Sequence, residues 1–341
     1  MELEEKPEEQ IDFEIVLEAL LDNATAFPPK YLYRLSDLEG SELAGLKNIW
    51  AKIDPLRRQR LIEDLEMLSE SNFVVLFDAV YKLGLNDTDQ NVKRTAIRAL
   101  WESDDKEVAK TLLSILRNNS DEAPVVAQAA AGLGKFVDLG EFEEIPENLY
   151  RQILDALLEK AAEHQPEIVR QRTIESLGFS SSPQVNSLIE SAYQKDIEDW
   201  TITALVAMGR SCRMQWTPMV IESLAHEESR IRVEAAQAAG AIGDPATAEH
   251  ILQLMDDPDE DVRQAAIWAL SEIGGDDARL ALETALNNAE DDEEIQMLEE
   301  ALDNLDFTET ELNFDLFDLT EDDLEDMFDT DNLDEQEDEE E

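Results

Sequence analysis

The sequence contains very little cysteine and little positive charge. Cys212 is the only cysteine among 341 residues, which excludes an intramolecular disulfide and fits a reducing compartment. Lys and Arg together number 27 against 82 Asp and Glu, so the formal net charge is −55. A charge of this size repels phosphate backbones, which argues against direct nucleic-acid binding. It favours basic protein partners, whose attraction weakens with salt.

Long apolar runs and catalytic motifs are also missing. No stretch approaches the roughly 20 apolar residues of a membrane span, and the acidic start MELEEKPEEQ lacks the apolar core of a secretory signal. We therefore expect a soluble cytoplasmic protein that does not contact membranes. The sequence has no P-loop, no G-x-G-x-x-G, no G-x-S-x-G and no cysteine pair for zinc. It predicts no catalytic residue, no cofactor and no metal site.

A repeated apolar pattern dominates the middle of the chain. An apolar residue is followed by others four, eight and eleven places later and then by Gly, most clearly from Ile231 and from Val262. Other starts are Val92, Val125, Val169, Ile197 and, more weakly, Ile295. A recurring step of about 30–45 residues is typical of solenoids, whose hairpins bury their apolar faces only against their neighbours. The pattern predicts an all-α fold, a right-handed α-solenoid of stacked helical hairpins.

Composition divides the chain into four parts. Residues 1–10 are nearly all charged or Pro and are predicted to be disordered. Residues 11–88 are helical but lack the pattern, so they are predicted to form an N-terminal cap, because the end units of solenoids are atypical. Residues 89–305 form the repeat array. Residues 306–341 hold 19 acidic and no basic residues and are predicted to be a disordered tail.

Local signals predict helix starts and contacts between repeats. Asp54 and Pro55 predict an N-cap and the first residue of a helix. An acidic residue lies three places before several starts and is predicted to cap or complement those helices: Asp89, Glu122, Glu228 and Asp259. A base follows the first apolar residue in several repeats and is predicted to pair with an acid of the adjacent unit: Lys93, Arg170, Arg232 and Arg263. An insertion around Val137–Asn148 indicates either a projecting loop or plain length variation.

The segments Ile231–Pro245 and Val262–Gly274, each with an apolar-Arg start, Ala residues and an Ile-Gly end, resemble HEAT repeats. They are most similar to the short, Ala-rich phycobilisome-lyase-like (PBS lyase HEAT-like) variety, over about residues 85–305. The resemblance implies the fold more than an activity. Two related activities are bilin attachment and di-iron deoxyhypusine hydroxylation, and the second needs four His-Glu motifs. Only His226, one of three histidines, is followed by Glu, which excludes that di-iron site.

Four tryptophans of the array are candidate anchors for a protein partner, because aromatic residues on concave surfaces are common hot spots. They are Trp101, Trp200, Trp216 and Trp268. Trp268 lies off the main apolar stripe and is expected on the surface of the groove. The alternative for each of the four is packing between neighbouring repeats.

Three arginines and part of the tail are further candidate partner-binding residues. Arg57, Arg58 and Arg60 are predicted to receive an acidic segment, either from a partner or from the chain's own tail. In the tail, large apolar residues alternate with acids, which is typical of a segment that docks on a basic, grooved partner. The predicted anchors are Phe314, Phe317, Leu324 and Phe328.

Together these features predict a non-catalytic scaffold, adaptor or assembly factor. It would hold a protein partner along the groove and contact a basic surface with its acidic tail. Two alternatives stay open at this point. One is a bilin-lyase-like factor that attaches a chromophore, and the other is an acidic chaperone for basic proteins.

Overall fold

A computed structural model describes residues 11–72, 74–118, 120–289 and 291–313, and within these ranges all of the regular structure is helical. The chain divides into two compact units, Met1–Arg213 and Met214–Glu341. The α-helices of the first unit are α1 (Phe13–Leu21), α2 (Gly40–Trp50), α3 (Pro55–Ser71), α4 (Asp78–Gly84), α5 (Gln90–Ala99), α6 (Lys106–Arg117), α7 (Ala123–Glu141), α8 (Glu147–Lys160), α9 (Glu167–Leu177), α10 (Pro183–Tyr193) and α11 (Glu198–Ser211). Those of the second unit are α12 (Thr217–Leu224), α13 (Ser229–Ile242), α14 (Ala248–Leu254), α15 (Glu260–Ile273), α16 (Asp276–Asn288) and α17 (Asp292–Asn313).

Helical hairpins stack in two layers within each unit. One layer, which we call the motif layer, contains α3, α5, α7, α9 and α11 in the first unit and α13, α15 and α17 in the second. The other, which we call the second layer, contains α2, α4, α6, α8 and α10 in the first unit and α12, α14 and α16 in the second. The apolar core lies between the layers. The predicted all-α stack of hairpins is confirmed.

The apolar pattern marks the buried side of the motif layer. Five pattern starts are at most 1% exposed: Val92, Val125, Val169, Ile231 and Val262. Small residues let neighbouring motif helices approach closely. At Gly178, for example, an added Cβ would lie 2.7 Å from the backbone oxygen of Ala207 on the next motif helix. The tight packing of this layer therefore depends on the small side chains of the repeat.

The predicted start at Ile197 is three residues too early. Ile197 is the N-cap of α11 and is 55% exposed, whereas Trp200, three places later, is 2% exposed and takes the buried position. Counted from Trp200, the steps from Val169 to Trp200, to Ile231 and to Val262 are each 31 residues. These four repeats are thus more regular than a start at Ile197 implies.

The predicted helix caps are right where the acid is Asp. Asp54 accepts a hydrogen bond from the N–H of Leu56, and α3 begins at Pro55. Asp89 and Asp259 likewise accept N–H groups in the first turns of α5 and α15. Glu122 and Glu228 occupy N-cap positions without a side-chain hydrogen bond to the helix, so they act at most through their charge.

The insertion and the start of the tail are both helical. The insertion around Val137–Asn148 lengthens α7 to 19 residues and turns into α8, with Val137 and Ile145 buried, so it is not a projecting loop. At the other end, α17 continues to Asn313, although the disordered tail was predicted from residue 306.

Candidate protein-interaction surface

The four candidate tryptophans divide into two buried and two exposed residues. Trp200 and Trp216 are each 2% exposed, so their prediction as partner anchors is wrong. Both fill space between helices, which is the alternative that their sequence context left open. Trp101 is 65% exposed and Trp268 is 41% exposed, and these two remain available to a partner.

Trp268 combines packing with exposure. Its indole lies against Gly240 of α13, where an added Cβ would be 2.6 Å from Cζ3 of the ring. Gln237 and Gln264 are exposed on the same two motif helices. The absence of a side chain at Gly240 therefore makes room for the indole ring of Trp268, and part of this ring remains exposed to solvent.

Trp200 interacts with two cations. The guanidinium carbon of Arg170 lies 4.9 Å from the ring centroid, and the ammonium of Lys195 also lies over the ring. Arg170 further donates to the backbone oxygen of Ala161. Burial, followed by the charge of Arg170, lowers the pKa of Lys195. The predicted acid partner of Arg170 is thus replaced by an aromatic ring.

Two other bases of the repeat do pair with acids as predicted. Lys93 lies 2.5 Å from Asp121, and the Arg232 Nε lies 2.8 Å from Asp257, each acid belonging to the turn before the next motif helix. The hydrogen bond from Arg232 is the main reason why the pKa of Asp257 is lowered. Arg263 instead donates to the backbone oxygen of Asp257. These contacts hold neighbouring hairpins in register.

Arg58 cannot receive an acidic partner, because it is 4% exposed. Its Nη2 donates to Oδ1 of Asp87 at 2.9 Å, and its Nη1 donates to the backbone oxygen of Trp50. Asp87 also accepts the indole N–H of Trp50 at 2.8 Å. The prediction for Arg58 is wrong because its charge is neutralised inside the unit.

Arg57 and Arg60 do not form a common surface with Arg58. The Nη1 and Nη2 of Arg57 donate to the backbone oxygens of Ala19 and Thr25, at 3.2 and 2.6 Å, and so hold the C-terminal end of α1. Arg60 is exposed. Phe314, Phe317, Leu324 and Phe328 lie outside the described residues.

Several exposed or half-buried basic and aromatic side chains lie on or directly after the motif helices of the first unit, with acids such as Glu66 between them. We call this set of residues the motif face, and it consists of Arg94, Arg98, Trp101, Lys135, Phe179 and Arg210. Arg98 makes two hydrogen bonds to Glu66 of α3, and Lys135 donates to the backbone oxygen of Glu102. The Arg210 guanidinium carbon lies 5.1 Å from the ring centroid of Phe179. These contacts join successive motif helices on one side.

Glu175 lies beneath this face and is 3% exposed. It accepts from Arg172 and, at 3.3 Å, from the hydroxyl of Thr203. Burial raises the pKa of Glu175 and outweighs the nearby charges of Arg172 and Arg210, which lower it. The nearby charges of Arg172 and Arg210 thus favour the ionised form of Glu175 against the effect of burial.

Cys212 adopts an unusual backbone conformation. It is an exposed residue at the C-cap of α11 with φ 49°, in the left-handed region where Gly243 ends α13. Partial burial of the thiol and the charge of Asp138 raise its pKa, which disfavours the reactive thiolate.

Replacing Cys212 with Gly should stabilise the first unit, because a residue with a Cβ in the left-handed region costs about 1–2 kcal/mol. We expect the free energy of unfolding to rise by about 0.5–1 kcal/mol, since the greater chain entropy of Gly offsets part of the gain. Urea denaturation followed by circular dichroism would measure this. Cys212→Ala, which keeps the Cβ, serves as the control, and equal stability of the two variants would contradict the prediction.

The described residues provide neither a metal cluster nor a membrane-spanning helix. Within the ranges that the structure describes, no three His, Cys, Asp or Glu side chains come together in a way that could hold a metal ion. None of the described helices combines the length and the apolar character needed to cross a bilayer.

Comparison with known proteins identifies the repeats. The family model described as HEAT repeats matches residues 78–149 and 217–303, which begin with α4 and with α12. The matched residues of both units are thus similar to HEAT repeats, and the fold is an all-α stack of helical hairpins. The first match starts at residue 78, inside the range predicted as the cap. No curated protein matches the sequence.

Several solved structures are similar at low sequence identity. YibA of Escherichia coli is 15% identical, with 79% of this chain and 98% of YibA covered and a TM-score of 0.40. Human deoxyhypusine hydroxylase in complex with glycerol is 19% identical, with 76% and 95% covered and a TM-score of 0.34. Importin beta is 13% identical, with 86% and 51% covered and a TM-score of 0.30.

Proposed function

We propose that the protein is a non-catalytic scaffold that binds a protein partner through the motif face. The observation that carries the proposal is the exposed ring of Trp101 directly after α5, which carries the exposed Arg94 and Arg98, in a chain whose net charge is −55. Arg and Trp are the residues that most often dominate binding energy at protein interfaces. Trp101 supplies an exposed ring, and Arg94 and Arg98 of the preceding helix α5 would supply charge-assisted hydrogen bonds.

The second unit would add long-range attraction to a basic region of the same partner. Only four of the 27 basic residues lie in it: Arg230, Arg232, Arg263 and Arg279. From Leu280 to Glu341 there are 28 acids and no base. Such a field raises the rate of encounter with a basic surface and weakens as salt is added. The sequence resemblance to phycobilisome-lyase-like repeats stays part of this proposal, which includes no lyase reaction.

To test the proposal, partner proteins are captured with the wild-type protein and with Trp101→Ala. The affinity of each captured protein is then measured for both. We expect Trp101→Ala to weaken binding of the true partner about tenfold to thirtyfold, the size of a hot-spot loss. Arg98→Ala should also weaken it, because the bidentate pair with Glu66 positions the guanidinium on the face.

Tyr33→Ala is the matched control, since Tyr33 is 54% exposed but lies in the short helical segment Pro29–Leu35, outside the motif layer. Its partner affinity should stay within about twofold of wild type. If every captured protein binds wild type, Trp101→Ala and Arg98→Ala equally well, the motif face is not the binding surface.

A further inference from the structure

A groove with only basic charges lies in the second layer of the first unit, on the side opposite the motif face. It runs between α6 and α8 and has a volume of about 710 Å³. Lys106, Lys110 and Arg117 line the α6 side, and Asn148 and Gln152 line the α8 side. All of its charged lining residues are basic, although acids outnumber bases threefold in the chain.

The same kind of groove recurs between other helices of the second layer, with different charges. The groove between α2 and α4 is also about 710 Å³ and mixes Asp37, Glu39 and Asp78 with two lysines. The groove between α14 and α16, about 550 Å³, has only acidic charges, Asp256 and Asp277 among them. The hairpin stack thus provides the shape, and the sequence makes the α6–α8 groove positive.

The beginning of α8 carries both signs of charge. Its N-cap, Pro146, makes no side-chain hydrogen bond to the helix, but Glu147 in the first turn offsets the positive helix end and pairs with Arg151. Among the described residues, Glu107 is the acid that pairs with a lining base: it lies 2.6 Å from Lys110, and both side chains are more than half exposed. Exposed pairs of this kind contribute little, so Lys110 is free to exchange its partner.

The floor of the groove is apolar. Leu113 of α6 and Leu149 of α8 are lining residues and are each almost fully buried. At the far end, Nη2 of Arg117 donates to the backbone oxygen of Gln152 at 3.1 Å, which fixes the guanidinium over the junction of the two helices. A ligand that fits would therefore carry negative groups around one or two apolar side chains.

We propose that the α6–α8 groove binds an acidic segment of a partner protein. Carboxylates would contact Lys106, Lys110 and Arg117, and a Leu- or Phe-type side chain would cover Leu113 and Leu149. A peptide fits better than a nucleic acid, because three cations cannot offset the repulsion between a long phosphate chain and a protein of net charge −55. The groove and the motif face share no residue, so the proposal for one can be contradicted without affecting the proposal for the other.

The test uses random 12-residue peptides displayed on phage and selected on the full chain, followed by fluorescence anisotropy with the selected peptides. We expect peptides of net negative charge that contain Leu or Phe. The double variant Lys110→Glu/Arg117→Glu should weaken their binding at least tenfold. Lys47→Glu/Lys52→Glu, with the same change in charge in the same unit and Lys47 in the α2–α4 groove, should leave it within twofold.

Four results would overturn the proposal. The selected peptides could be neutral or basic, or both double variants could weaken the acidic peptides equally, which would indicate an effect of net charge alone. A labelled 12-nucleotide single-stranded RNA could bind more tightly than the peptides and lose that binding in Lys110→Glu/Arg117→Glu. Deleting residues 314–341 should not change peptide affinity, and a tenfold gain would assign the groove to the chain's own acidic end instead of a partner.

Discussion

Replacing Asp87 with Ala is expected to lower the free energy of unfolding by about 3–5 kcal/mol, the cost of leaving a buried charge without its partner. The Arg58 guanidinium, 4% exposed, would lose its carboxylate, and the indole N–H of Trp50 would lose its acceptor at the same time. Neither group can reach water from its place between α2, α3 and the turn before α5. Urea denaturation followed by far-ultraviolet circular dichroism measures the change.

Two controls separate the buried pair from charge effects in general. Glu147→Gln removes an acid from the exposed pair with Arg151, whose side chains are 65% and 73% exposed, and should cost less than about 0.5 kcal/mol. The double variant Arg58→Met/Asp87→Leu removes both charges together and should recover most of the stability, as apolar replacements of buried pairs often do. A loss below about 1 kcal/mol in Asp87→Ala would show that water or another group satisfies Arg58.

The role of Arg58 could have been predicted from the sequence. Arg58 lies four places after the N-cap Asp54, as Lys93 lies four places after the N-cap Asp89. Lys93 was expected to pair with an acid of the adjacent hairpin, and the same reasoning applies to Arg58. The pairing of Arg58 is hard to see in the sequence because α3 lacks the apolar pattern. The N-cap Asp54 is recognisable, but without the pattern nothing aligns it with the N-caps of the array.

Burial was harder to predict for the tryptophans. Motif helices rich in Ala and Gly are apolar on several sides, so a spacing of four and eight residues fits more than one register. Taking Ile197 as the first apolar residue of the α11 repeat leaves Trp200 off the apolar stripe. Taking Ile197 as the N-cap, three residues before the first buried residue as in the other repeats, places Trp200 in the core. The N-cap was the better guide, because it fixes the first turn of the helix independently of which side chains are apolar.

The α6–α8 groove could not be found from the sequence. Its lining residues come from two helices about 40 residues apart, and its basic and amide side chains look in the sequence like ordinary exposed residues of amphipathic helices. Only the spacing between the helices decides whether Lys110 and Gln152 face the same cavity. The period of a repeat predicts which helices are neighbours, but the size and charge of the space between them depend on tertiary packing.

Replacing Trp216 with Ala should destabilise the second unit by about 3–5 kcal/mol, the usual cost of removing a large aromatic side chain from a core. Trp216 is 2% exposed and is among the largest fully buried side chains. Within the described part of the chain its indole N–H has no hydrogen-bond partner, so the loss comes from packing. Hydrogen-exchange mass spectrometry with circular dichroism would localise the change, which we expect in α12 and α13.

The matched comparisons are Trp216→Phe and Trp101→Ala. Phe retains most of the buried ring and loses no hydrogen bond, so Trp216→Phe should recover more than half of the stability lost in Trp216→Ala. Trp101 is 65% exposed, so replacing it with Ala should change the free energy of unfolding by less than about 0.5 kcal/mol. The same replacement should weaken binding of the partner. If Trp216→Ala were instead as stable as wild type but no longer bound the partner, Trp216 would be the residue that anchors the partner. Stability and affinity therefore separate two tryptophans that the sequence alone treats as equivalent.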